Sequence, residues 1–213
     1  AIFQVLKKYI IESKNIRFEG NGYGGEWVKE AKKRGLSNVL TTPEAMDSAL
    51  SEKSRELFGR NEILSSRELE ARYEIDLQNY VKKIQIESRV MGDLAINHIV
   101  PIAVEYQNLL VKNVTGLKQL FSETDFKELA SEQLITIRKM SERMSRIQLL
   151  AKKMRDARKR ANQLDDTRKK AGEYCNIVIP FFDQIRREVD KLELVVSDEY
   201  WPLPKYRELL FNR

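Results

Sequence analysis

Apolar residues recur at three- and four-residue spacing along most of this sequence, which predicts helices. Residues 1–14 carry Ile2, Val5, Leu6, Tyr9 and Ile10 on one such face, apolar enough to dock on something. Gly20, Gly22, Gly24 and Gly25 then fall within six positions and supply turns with positive φ. Helix resumes near Glu26 and should stop at Gly35, after Lys32, Lys33 and Arg34 suited to a helix C-terminus. Thr42 before Pro43 is a further start signal, with Thr42 as N-cap, and short helices are expected over 43–60.

Three longer segments follow. The first opens at Ser65 and Glu68, a capping box, with Leu69, Tyr73, Leu77, Tyr80, Ile84, Met91, Leu94, His98 and Ile102 as its seam. It should run to about 115–116, bent at Pro101. The second starts at Thr124 as N-cap and carries Ile137, Met140, Met144, Ile147, Ala151 and Met154 at alternating spacings. Continued to Leu164, its roughly 40 residues would make a rod of roughly 60 Å, which needs a partner along its length. The third spans about 166–196, with Tyr174, Ile177, Val178, Phe181, Phe182, Ile185, Val189 and Leu192 buried and Pro180 as a kink.

Short links between long helices favour antiparallel neighbours. The expected fold is therefore all-α: long antiparallel helices in an up-down bundle, preceded by short helices and a Gly-rich turn. The stretches 97–101 and 176–180 echo each other and are read as two similar kinks facing one another. Around Trp201, Pro202, Leu203 and Pro204 the chain should form an extended strap ending in a short helical turn.

Composition narrows the function classes. With 33% charged and 42% hydrophobic residues among 213, the chain is too apolar for disorder and too charged for a membrane protein. No apolar run reaches membrane-spanning length, and the first residues lack the pattern of a signal peptide. The single Cys175 gives no internal disulfide, so a reducing, cytoplasmic setting is expected. The start, without Met and directly in helical pattern, suggests a piece of a longer protein.

Charge adds one local feature. Residues 152–170 hold nine basic side chains against three acidic ones, so this stretch carries the whole net charge of +6. Its first half, Lys152, Lys153, Arg155, Arg158, Lys159 and Arg160, is a candidate interaction patch. Lys and Arg on a helix can meet nucleic-acid phosphates, but no aromatic platform lies between Phe126 and Tyr174. A solvated face is the stronger reading, and pairing with an acidic surface of another subunit stands between the two.

Catalytic and metal-ligating material is sparse. The lone His98 lies on the predicted seam and is read as a satisfied core histidine, and Cys175 as a buried, inert thiol. The glycine cluster precedes a helix, but lacks the strand and the Lys-Ser/Thr of a phosphate loop. No catalytic, metal or cofactor-binding residue is assigned.

Several stretches carry more than periodicity. Gly20, Asn21, Gly22 and Tyr23 through Glu26 and Trp27, then Arg34-Gly35-Leu36, Thr42-Pro43, the 51–53 start and 71–74, resemble the C-terminal part of type III glutamine synthetases. So does the ending with Trp201, Pro202, Pro204 and Tyr206. One departure is Gly24-Gly25, where the family pattern suggests a Ser followed by an acidic residue; a side-chain N-cap is given up there. The resemblance implies a parent enzyme that makes glutamine from glutamate, ammonia and ATP with divalent metal (Mg or Mn) through a γ-glutamyl phosphate, its ligands lying in an upstream domain. It implies that residues 1–40 are the tail of that catalytic domain, 41–65 a connector, and 66–213 the bundle with its strap. The partners it implies are the chain's own catalytic domain and neighbouring subunits of two stacked hexameric rings, with a packing, assembly or regulatory role and no activity in this chain alone. A free-standing scaffold or nucleic-acid binder using the basic helix is the alternative.

Overall fold

The computed structural model describes residues 2–211, with the side chains of residues 206 and 207 outside that description. All regular structure among these residues is helical. The chain divides into two compact units, Ala1–Ala45 and Met46–Arg213.

In the first unit, α1 (Ile2–Glu12) buries none of its residues. A turn of 3₁₀-helix and the Gly-rich stretch lead to α2 (Gly25–Lys33). Gly35, at φ +70°, ends that helix as expected, in the left-handed conformation that a Cβ disfavours. The start of α3 (Thr42–Asp47) differs by one residue from the expected N-cap. The Thr41 hydroxyl donates to the Glu44 carboxylate at 2.7 Å, and the Thr41 carbonyl accepts the first helical bond from Ala45, so Pro43 is the second helical residue.

The second unit holds the bundle. After α4 (Glu52–Arg60), capped by Ser51, comes α5 (Ser66–Asp93) with the capping box of Ser65 and Glu68 in place. A π-helical stretch, Leu94–Ile99, joins it to α6 (Val100–Leu120), which extends past residues 115–116. The next N-cap is Ser122, not Thr124: its Oγ accepts from the Asp125 amide at 3.2 Å and opens the short α7 (Glu123–Leu129). The chain turns at the fully buried Ala130 into α8 (Ser131–Asn162). Asp166 caps α9 (Thr167–Glu173), followed by a second π-helical stretch, Tyr174–Val178, and by α10 (Pro180–Glu193).

Side-chain pairs fix the directions of these rods. Arg158 reaches Ser88, Gln107 reaches Ile137 and Ser141, and Asn113 reaches Gln133, so α8 runs opposite to α5 and α6. Tyr174 meets Asn162, and Arg143 meets Glu188, so α10 runs opposite to α8. Met140, Met144, Ile147, Ala151, Met154, Ala157 and Ala161 bury the central seam of α8 against these neighbours. Small residues on its C-terminal half allow close helix approach, while each fully buried Ile or Met contributes about 1.5–3 kcal/mol of hydrophobic stabilisation.

Both prolines are preceded by the same adjustment. A proline has no amide hydrogen, and its ring collides with the carbonyl four residues back. Before Pro101, the Val100 amide donates to Ala95, and before Pro180, the Ile179 amide donates to Tyr174, each five residues back. The extra residue is taken up as a π-turn, which moves the clashing carbonyls of Asn97 and Asn176 out of register. Both π-helical stretches pack on α8.

That adjustment corrects two expectations. His98 is not a core histidine: its side chain is 51% exposed, 3.9 Å from the Asp93 carboxylate. Ile177 is 41% exposed. One inserted residue rotates the following turn, so Ile99, Val100 and Ala103 replace His98 in the core, and of the expected pair Ile177 and Val178 only Val178 is buried. Cys175 is only half-buried. Its thiol lies against Tyr80, whose hydroxyl is pushed up chiefly by burial and then by the hydrogen bond to Cys175.

Candidate functional site

Three places carry the residues singled out in the sequence. In the first unit, the Asn21 side chain accepts from the Tyr23 amide at 2.9 Å, and its carbonyl accepts from Gly24 at 3.0 Å, closing a tight turn. Gly24 sits at the N-cap of α2 without a side-chain cap, and Glu26 is the acid of the first turn. Phe18 packs on Trp27 with ring centroids 5.0 Å apart. A Cβ on Gly20 would stand 2.6 Å from the Phe18 ring, so glycine there lets that ring reach the tryptophan. Gly22 and Tyr23 are exposed. Arg34 ties the turn together, donating to Glu30 at 2.6 Å and to the carbonyls of Asn15 and Arg17.

The strap closes on the bundle. Trp201 is 8% exposed and joins the main core cluster, with Leu203 packed against it; Pro202 and Pro204 face solvent. Lys205 holds the strap down. Its ammonium donates to the carbonyls of Glu193 (3.0 Å) and Val196 (3.2 Å) and to the Asp198 carboxylate (2.5 Å), and stands 5.9 Å from the Trp201 ring. A lysine thereby satisfies the carbonyl of Glu193, the last residue of α10, and that of Val196 beyond it. A final helix, α11 (Tyr206–Leu210), follows; the side chain of Tyr206 lies outside the described residues. Beside the strap, α5 and α10 wall a cleft of about 500 Å³ with Val90, Met91 and Val189.

The basic run does not form one continuous face. Lys152, Lys153, Arg155, Lys159 and Arg160 are exposed on α8, whereas Arg158 is half-buried and donates to the Ser88 hydroxyl at 3.3 Å. Burial, and then the neighbouring charge of Arg89, push the Arg158 guanidinium below its ordinary value. Arg168 turns away altogether, making a two-point pair with Asp47 at 2.7 Å per bond. Asp47 also accepts from Tyr73 at 2.6 Å. The Arg168 hydrogen bond holds the Asp47 carboxyl below its usual range, while burial first and Asp47 second push Tyr73 up to about 12.

Two further sites were missed in the sequence reading. Glu188, buried on the seam between Ile185 and Leu192, is met by Arg143 (3.3 Å), Lys191 (3.5 Å) and Arg146 (3.7 Å). A carboxylate at a seam position, three residues after Ile185 and four before Leu192, was the available signal. Lys205 gave no comparable sign. Among the described residues, no three His, Cys, Asp or Glu side chains gather as a metal site. No described helix is long and apolar enough to cross a membrane.

Comparison with known proteins gives this geometry a family. The model of the glutamine synthetase C-terminal domain matches residues 1–118, more than half of the chain. The chain belongs to that family. Over all 213 residues it is 46% identical to a protein named glutamine synthetase from Bacteroides fragilis (strain YCH46). It is 31% identical over its whole length to the type-3 glutamine synthetase of Dictyostelium discoideum. A glutamine synthetase of Butyrivibrio fibrisolvens is 34% identical over 209 residues, 98% of the chain. In each case the chain spans 29% of the relative's length. The glutamine synthetase C-terminal domain match ends within α6, so α8, α10 and the strap are covered by the full-length relatives alone.

Proposed function

We propose that this chain is the C-terminal helical module of a type 3 glutamine synthetase and that it serves packing, assembly or regulation of that enzyme. The observation that carries a packing role is α1. Ile2, Phe3, Val5, Leu6, Tyr9, Ile10 and Ile11 are all at least half exposed, and no residue of that helix is buried. A face of this kind on a charged chain marks an interaction surface. The relatives, more than three times as long, supply the cover in this reading: residues 1–40 are the tail of a catalytic domain, 41–65 a connector and 66–213 the bundle.

The parent enzyme would act in the cytoplasm, ligating ammonia to glutamate with ATP and Mg or Mn, and would assemble as stacked hexameric rings. No three His, Cys, Asp or Glu side chains gather among the described residues, and no step of that reaction is assigned to them. The nucleic-acid reading draws no support from the basic run 152–170, which contains no aromatic residue and whose Arg158 and Arg168 are engaged with Ser88 and Asp47.

The test uses the full-length protein carrying Leu6→Asp and Ile10→Asp. Light scattering coupled to size exclusion should find smaller assemblies. Wild-type assemblies with wild-type thermal stability would overturn the packing role. The 213-residue chain itself should form no glutamine from glutamate, ammonia and ATP with either metal.

A further inference from the structure

Between α5 and α8, next to the first π-helical stretch, lies a cavity of about 340 Å³ that the packing role leaves unused. Arg89, Arg155 and Arg158 line it from two helices. None of the three has a carboxylate within ion-pair distance among the described residues, although the bundle pairs other basic groups, such as Arg143, Arg168 and Lys205. Arg158 is half-buried, and burial, the charge of Arg89 and, less, that of Arg155 all disfavour its charged form, which a bound anion would favour.

The polar geometry favours an anion. Ser88 is fully buried and its hydroxyl donates to the Gln85 carbonyl at 2.8 Å while accepting from Arg158. That contact uses one of the five N–H groups of Arg158 and orients the rest of a planar fork suited to an oxyanion. Asp93, the one acid among the described lining residues, is engaged by the Asn97 amide at 2.6 Å and lies 3.9 Å from His98. Against its single charge the wall carries three cations. Met154 contributes an apolar surface, and the volume is several times that of a water molecule's share of the liquid, about 30 Å³.

We propose that this cavity binds a di- or polyphosphate group, free or carried on a small organic molecule, with Arg155 and Arg158 as its principal ligands. The site shares no lining residue with the strap or with α1, and goes beyond the packing role. Bound there, the ligand would bridge α5 and α8 and stabilise the bundle against unfolding.

Calorimetric titration of the 213-residue chain at 0.15 M salt, about physiological, with pyrophosphate and separately with ADP, tests this. Saturable one-site binding is expected, weakened about tenfold or more by Arg158→Gln, as loss of a charge-assisted contact implies. Lys152→Gln with Lys153→Gln, exposed on the same helix, should change it by less than about threefold. Tighter binding of ADP than of pyrophosphate assigns the ligand to an organic phosphate, and equal binding assigns it to the inorganic ion. Circular dichroism verifies that each variant is helical. If Arg158→Gln unfolds, Arg155→Gln replaces it; if the chain does not fold alone, tungstate anomalous density beside Arg158 in crystals of the full-length protein is the expected result. No saturable binding by folded chain, equal loss in the lysine variants, or no tungstate at that position would overturn the proposal.

Discussion

Asp47 accepts from Arg168 and Tyr73, and the carboxyl and the phenol respond to opposite ends of the pH scale. Its carboxyl titrates below the usual range in the folded chain, so its contribution is present above the ordinary aspartate value of about 3.9 and is lost as pH falls through the depressed folded value. Tyr73 is raised, so its contribution is complete below about pH 10 and is lost as pH climbs toward about 12. Asp47→Asn should lower stability by about 1 kcal/mol at neutral pH, a figure held down by the partial exposure of the pair. In denaturant titrations at a series of pH values the difference from wild type should close in acid; a constant difference would contradict the assignment. Glu188 is the more buried acid, and Glu188→Ala leaves Arg143 desolvated without its partner. About 2–3 kcal/mol should be lost, read from chemical denaturation. His98→Ala, on an exposed side chain, should change stability by less than about 0.5 kcal/mol.

At the scale of elements, the long helices and their seams were legible because burial repeats with the helical period. Met140, Met144, Ile147, Ala151 and Met154 are buried as the spacing predicts. The period misleads where the backbone changes its count. His98 and Ile177 lie in π-turns, and a seam extrapolated at constant pitch passes through them although the inserted residue turns them outward. Caps misplace by one or two positions where several Ser and Thr residues compete, as with Thr41 for Thr42 and Ser122 for Thr124. The contacts of Arg158 with Ser88 and of Lys205 with Glu193 depend on how helices meet, which no local pattern encodes. Within α8, Lys152, Lys153, Lys159 and Arg160 are exposed, so changing all four to Gln should shift the melting temperature by no more than about 2 °C. The same change should produce no salt-dependent difference in duplex DNA or RNA binding, because none is expected at physiological salt.

For the whole molecule, the division of labour lies between a bundle that closes its own core and surfaces that do not. α8 and its neighbours bury their seams internally, whereas α1 presents a bare apolar face. Trp201 belongs to the first category in this chain: it is packed into the bundle, and the three bonds of Lys205 hold the strap in place. Truncating a buried tryptophan removes about 3–5 kcal/mol of packing in a core, and somewhat less at a chain end that can relax. The measurement that bears most directly on a structural rather than catalytic role is therefore made on the full-length protein with Trp201→Ala, comparing thermal stability, assembly size and steady-state kinetics in one preparation. Lower stability and weakened assembly, with substrate KM changed by less than about twofold, is the result predicted. Intact assemblies of unchanged stability that have lost turnover would contradict it.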